Sequence, residues 1–210
     1  MFKLTKDQVA TLKLHATSQE APSYKLSTFA IEAAHVWRTA CRARGLADDQ
    51  DVNLYISVNG RSRLKDVTLP QGYCGNIIFF ALCKEKAGDV MSKPLWYSAS
   101  KVHEAVKKMD DIEYLRSAID FVELQPDITP LIRGPHTSNC PNLTIISWAR
   151  LAFHDADFGW DRPHFTGING IKYDGLTYIT PSSNGDGSSS VGIKLFTPHM
   201  ALFNEYFYDL

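Results

Sequence analysis

The longest unbroken apolar run in the 210-residue chain, Ile77 to Cys83, sets the tightest limit on how it folds. Seven residues fall far short of a membrane span and match one strand buried on both faces. The run therefore predicts a central strand over Asn76 to Leu82, in a domain built around a sheet. Hydrophobic residues make up 44% of the chain and charged residues 21%, which excludes a disordered or collagen-like polymer. A formal net charge of -1 gives no basic field to hold a nucleic-acid backbone or to seek an anionic membrane. One large domain or two small ones fit this length.

The remaining elements follow from local signals. Thr5 followed by Gln8 forms a capping box, with Leu4 and Val9 as a hydrophobic staple, so a helix begins almost at Met1 with Val9, Leu12 and Ala16 on one face. This abrupt start reads as a cut at a domain boundary. A second helix is predicted from Ser27 to Arg44, stopped by Gly45, with Arg38, Arg42 and Arg44 near its end in favourable relation to the helix dipole. Leu54, Ile56 and Val58 alternate with polar neighbours as in a half-buried strand. Helical patterns follow Pro94 and restart at Asp110, through Leu115, Ile119 and Val122. Strands are predicted at Leu143 to Trp148, Leu176 to Thr180 and Ser190 to Phe196; the last two flank Pro181 to Gly187, a hairpin-turn composition. Thr197-Pro198 reads as an N-cap with proline at the first helical position. The order α-α-β-β-α-α-β-β-β-α gives an α/β (α+β) fold, a mixed sheet with helices packed on it.

Chemistry-bearing motifs are few. Cys41, Cys74, Cys83 and Cys140 lack CxxC spacing and read as free thiols of a reducing compartment, and the N-terminus has no apolar signal core, so a cytoplasmic location is expected. There is no nucleophile elbow, P-loop or dinucleotide fingerprint. Gly185-Asp186-Gly187 lies between strands and reads as a turn, not a phosphate loop. His154-Asp155-Ala156-Asp157 reads as a polar loop with a structural salt bridge, and no metal site is expected. His35 is expected in the core or on its flank. No histidine is followed by an aspartate four residues later. Arg133, in Arg133-Gly134-Pro135-His136-Thr137, sits in a Gly-Pro loop suited to bidentate capture of a carboxylate, although a surface arginine is the common alternative.

Several stretches together resemble the BAHD acyltransferases, plant enzymes that move acyl groups from coenzyme A thioesters to alcohols or amines. Asp157-Phe158-Gly159-Trp160-Asp161 is similar to the family's DFGWG motif. Phe2-Lys3-Leu4-Thr5, His35-Val36-Trp37-Arg38, Asn59-Gly60-Arg61, Gly75-Asn76, Tyr114-Leu115-Arg116-Ser117-Ala118, Leu124-Gln125-Pro126, Cys140-Pro141-Asn142-Leu143 and the ending from His199 resemble its shikimate/quinate hydroxycinnamoyltransferase branch. The likeness extends over all 210 residues.

The resemblance implies a chloramphenicol-acetyltransferase-like two-layer domain spanning 1–210 and corresponding to the family's C-terminal half, with the N-terminal HxxxD domain absent. It implies an acyl-CoA co-substrate, no permanently bound cofactor, and a shikimate/quinate-like acceptor. The HxxxD histidine would deprotonate the acceptor hydroxyl, which attacks the thioester through a tetrahedral oxyanion. No catalytic residue is therefore expected here, and the chain alone should lose about a hundred- to ten-thousand-fold in rate with that base. By the same resemblance Arg133 grips the acceptor's carboxylate and Trp148 lines the acceptor and acyl pocket. Ile146 replaces a threonine that helps hydrogen-bond substrate or oxyanion, a loss of about 10²–10³ in rate where such a donor is essential. Arg61 and Arg63 are weaker candidates for coenzyme phosphates. Asp157 to Asp161 form a structural motif in which Asp157 is expected to pair with Arg61, and Asp161 replaces a glycine, at modest cost if that position has positive φ. Expected partners are the missing half, or a second copy through the exposed interdomain face. A non-catalytic half-domain that binds a ligand or a protein is the alternative.

Overall fold

The capping box does form. Gln8 N–H donates to Thr5 Oγ1 at 3.2 Å and Thr5 N–H to Gln8 Oε1 at 2.9 Å, opening α1 (Lys6–His15) in the computed structural model. This structure describes residues 1–65, 69–70, 72–132, 134–151, 153–182 and 185–210. Helix α2 (Thr28–Ala43) begins at Ser27, whose hydroxyl accepts from Ala30 N–H, and ends where Gly45 takes φ +59°. Both boundaries match the sequence reading.

The other helices are α3 (Ala87–Ser92), α4 (Leu95–Lys107), α5 (Ile112–Glu123) and α6 (Thr197–Phe207); the strands are β1 (Phe2–Leu4), β2 (Asp51–Asn59), β3 (Ile78–Lys86), β4 (Leu143–Ser147), β5 (Leu176–Pro181) and β6 (Ser189–Ile193). They form one sheet in the order β1-β6-β5-β4-β2-β3. The pairs β2–β4 and β4–β5 are parallel and the other three antiparallel. One face of the sheet carries Val52, Leu54, Ile56, Val58, Leu143, Ile145, Ile179, Val191 and Ile193, all buried beneath α1, α2, α4 and α6. Helix α2 is buried around most of its surface, with Trp37 fully enclosed, because α1, α4 and α6 flank it. The result is the two-layer arrangement expected. Among the described residues no helix is long and apolar enough to cross a membrane.

Three expectations need correction. The apolar run does not form a central strand: β3 lies at the sheet edge, with Ile78 43% and Leu82 37% exposed. Its apolar residues alternate between the helix layer and an uncovered face, and a run of this kind carries no record of which strands flank it. Helix α5 is capped by Asp111, not Asp110; Asp111 Oδ1 accepts from Glu113 N–H at 2.9 Å, while Asp110 bonds Lys107. Phe196 occupies the N-cap of α6 without a side-chain cap, and Thr197 lies inside the helix. The arginines of α2 stand toward its C-terminus as expected, with Arg42 in the last turn, and also serve distant partners. Arg38 donates to the carbonyls of Val90 and Lys93, Arg42 meets Asp209 at 3.6 Å, and Arg44 is described below. Strand β1 and helix α3 are elements that the pattern did not reveal.

Candidate functional site

Strands β2, β4 and β5 run parallel, so the segments that follow them emerge at one end of the sheet. Ligands of open α/β sheets favour that end. Here the side chains opposite the helix layer come together. Ile146 pairs across the sheet with Tyr178, and both are half-buried on the uncovered face. Trp148 follows β4, donates its backbone N–H to the Ile179 carbonyl at 2.8 Å, and sets its ring 5.2 Å from Tyr178 and 5.0 Å from Phe153. Ile168 and Ile171 shelter the same face near β6: their Cδ1 atoms lie 3.7 and 3.6 Å from where a Cβ on Gly192 would stand. The strand positions on this face supply hydroxyls from Tyr55, Ser57, Thr144, Tyr178, Thr180 and Ser190; their one carboxylate, Asp51, stands at the opposite end of β2 and pairs with Lys86 at 2.7 Å. The strand positions around Ile146 and Tyr178 thus give walls and hydrogen-bonding groups without a base.

Arg61 and Arg63 leave β2 at this end. Arg61 is exposed and donates to the carbonyls of Tyr73 and Gly75; Arg63 donates to Asn59 O at 3.0 Å and pairs with Asp110 at 3.2 Å. A phosphate would compete with these partners. Arg133 lies outside the described residues. The segment after it is firmly held: Pro135–Thr137 forms one 3-10 turn, and Thr144 Oγ1 donates to Thr137 O at 2.8 Å.

The expected pair between Arg61 and Asp157 is not formed. Asp157 Oδ1 instead accepts from Gly159 N–H at 2.7 Å, a local turn that satisfies it without a distant cation. The motif lies in an exposed loop, with Phe158 83% and Trp160 90% accessible. Asp161 takes φ +80°, the expected consequence of occupying a glycine position. In the His154–Asp157 stretch His154 is half-buried, the residues from Asp155 to Asp157 are exposed, and Asp155 meets Arg162 at 3.8 Å. Among the described residues no group of three or more histidine, cysteine, aspartate or glutamate side chains could hold a metal ion.

One connection escaped the sequence reading. Arg44, at the end of α2, is buried and donates to Asp174 Oδ2 at 2.7 Å, Asn142 O at 2.6 Å and Ser138 O at 3.3 Å. Asp174 also accepts from the backbone N–H groups of Cys140 and Phe196. Gly175 passes this cluster at φ +72°, where a Cβ would come within 2.0 Å of Ser138 O. The hub locks the segment entering β4 to the loop entering β5. Tyr178 and Phe153 were also missed; only the alternation of Leu176, Tyr178 and Thr180 hinted that Tyr178 faces away from the core.

The Transferase family sequence model matches residues 1–210. The chain belongs to this family, the BAHD acyltransferases, and has their chloramphenicol-acetyltransferase-like fold. It is 53% identical over 209 residues to shikimate O-hydroxycinnamoyltransferase of Nicotiana tabacum, covering 100% of this chain and 47% of the relative. Anthranilate N-benzoyltransferase protein 2 of Dianthus caryophyllus is 45% identical over 210 residues, with the same coverage. Among solved structures, F. sporotrichioides TRI101 complexed with coenzyme A and T-2 superposes with a TM-score of 0.82 at 19% identity, over 96% of this chain and 47% of that one. The chain thus spans about half the length of the curated relatives it matches.

Proposed function

We propose that this chain is the acceptor-side half of an acyl-CoA-dependent transferase that moves a hydroxycinnamoyl group to a shikimate/quinate-like alcohol in the cytoplasm. The observation that carries this reading is the base-free face formed by Ile146, Trp148 and Tyr178 where the parallel strands end. An alcohol needs a base to attack a thioester at neutral pH, and the strand positions here offer none. A complementary half carrying an HxxxD histidine would cover this face, supply the base and exclude water. Trp148 and Tyr178 would then hold the planar acyl or acceptor group, Arg133 would take the acceptor carboxylate, and Arg61 and Arg63 would stand nearest the coenzyme phosphates. Ile146 leaves the forming oxyanion without a side-chain hydroxyl at that position. The identities to the tobacco and carnation relatives support the acyl transfer.

The test joins this chain to the preceding half of the tobacco relative and measures transfer from p-coumaroyl-CoA to shikimate. The chimera should turn over, Ile146→Thr should raise its rate, and the 23.5 kDa chain alone should be almost inactive. Rapid turnover by the unaided chain would overturn the proposal. So would a folded chimera that binds neither coenzyme A nor acceptor.

A further inference from the structure

Arg38 and Arg42 stand one turn apart on α2 with little acid to balance them. The half-buried Arg38 donates from Nε to the Val90 carbonyl at 2.9 Å and from Nη2 to the Lys93 carbonyl. Both acceptors are neutral, and among the described residues no carboxylate pairs with Arg38 and no protein group takes up its Nη1. Arg42 lies 4.5 Å over the Tyr206 ring and meets Asp209 at 3.6 Å, but that carboxylate is 70% exposed and shares its charge with water. Burial, and after it the Arg42 charge, lowers the Arg38 pKa, as befits a cation short of a counter-charge. The two arginines line a cavity of about 130 Å³ together with His15, His35, Tyr206 and Asp209. At about 30 Å³ for each water, that volume takes roughly four waters, which is room for one tetrahedral oxyanion but not for a nucleotide.

We propose that this cavity binds a compact tetrahedral oxyanion, inorganic phosphate, between Arg38 and Arg42, and so ties α2 to the end of α6. Guanidinium groups suit such an anion because their N–H donors lie in one plane and keep their charge. The anion supplies the counter-charge that the Val90 and Lys93 carbonyls do not, and Asp209 competes with it for Arg42. The lining comes from α1, α2, α4, α6 and the tail after α6. Those helices cover the side of the sheet away from Ile146 and Tyr178, so the anion site does not rest on the functional reading.

The test titrates the 210-residue chain with inorganic phosphate in a calorimeter, at an ionic strength held constant with sodium chloride. Binding should saturate at one site, sulfate should compete for it, and glycerol 3-phosphate should bind less tightly because its carbon chain does not fit. Arg42→Gln should weaken phosphate binding at least ~10-fold through loss of a charge-assisted contact. Asp209→Asn should tighten it roughly 2- to 5-fold by removing the competing carboxylate, a gain that a merely structural Asp209 does not give. Absence of saturable binding overturns the proposal, as does binding that either variant leaves unchanged. Tighter binding of glycerol 3-phosphate than of phosphate overturns it too, since the occupant is then a monoester. Leu210 also lines the cavity, and its terminal carboxylate is the rival occupant. Phosphate binding that appears only after two glycines are appended to Leu210 gives the cavity to that carboxylate and overturns the proposal. If Arg42→Gln fails to fold by circular dichroism, Asp209→Asn decides.

Discussion

Acid should weaken this fold through His35, and by an amount that follows from its surroundings. The ring is buried in α2, its Nε2 lies 2.9 Å from the Phe207 carbonyl oxygen, and it packs 5.0 Å from the Phe207 ring. A proton on Nε2 completes that bond. Burial is the main cause that lowers its pKa to about 4; the Phe207 carbonyl pulls it upward, and Arg38, Arg42 and His15 push it further down. The unfolded chain titrates near the ordinary value of 6.5 and takes up the proton first. His35 thus contributes stability that is complete above about pH 6.5 and is lost as pH falls toward about 4. The gap between those two values corresponds to about 3 kcal/mol.

Glu32, on the same helix, works in the opposite sense. Burial raises its pKa, against a hydrogen bond from Ser189 Oγ at 2.8 Å and the charge of Lys13. Its contribution is greatest below the unfolded carboxylate value and declines as pH rises through the folded one. The His35 effect must therefore be read as a difference. His35→Gln keeps a donor for the Phe207 carbonyl and does not titrate. Urea unfolding of both proteins from about pH 8 to about pH 4 should show the wild type losing about 3 kcal/mol relative to the variant. A difference that stays constant over that range would refute the reasoning.

Other substitutions probe the hub and the loop. Asp174→Ala leaves the buried Arg44 unpaired and should cost about 3–5 kcal/mol in urea unfolding, whereas Arg44→Met with Asp174→Leu should cost far less. Gly175→Ala meets the Ser138 carbonyl at positive φ and should lower stability by more than about 1–2 kcal/mol, visible as a fall in Tm. Asp161→Gly relieves a left-handed aspartate and should raise stability by up to about 1 kcal/mol, with no gain if Asp161→Asn is substituted instead. In the chimera, Trp148→Ala should raise KM for the acceptor or acyl donor through loss of the ring stack with Tyr178 and Phe153.

The boundaries of α1 and α2 were legible because the forces that set them act within a few residues. The Thr5–Gln8 box, the Ser27 cap and the positive φ of Gly45 all need only neighbours in sequence. The position of β3 was not legible, since a strand's place depends on partners that arrive from elsewhere in the chain. The same distinction separates the α2 arginines. Their crowding suggested a local dipole effect, yet Arg44 answers an aspartate 130 residues away that no nearby pattern announces.

The site divides along the same line. Ile146 and Trp148 were named through the family resemblance alone, while Tyr178 and Phe153 join them only through the parallel β4–β5 pairing and the return of the following segment. The Arg61–Asp157 pair failed for a reason that is itself physical: each group found a partner closer at hand, in the hairpin's own carbonyls and in Gly159 N–H. A charged pair between two loops must compete with such local bonds, and at exposed sites it gains at most about 1 kcal/mol. If docking of a complementary half excluded water around the exposed Phe158 and Trp160, the same pair would gain strength in a lower dielectric. Stability of the chimera should then show a coupling between Arg61→Ala and Asp157→Ala in a double-mutant cycle, and the chain alone should show none. Equal coupling in both proteins would mean that docking does not bring these loops together.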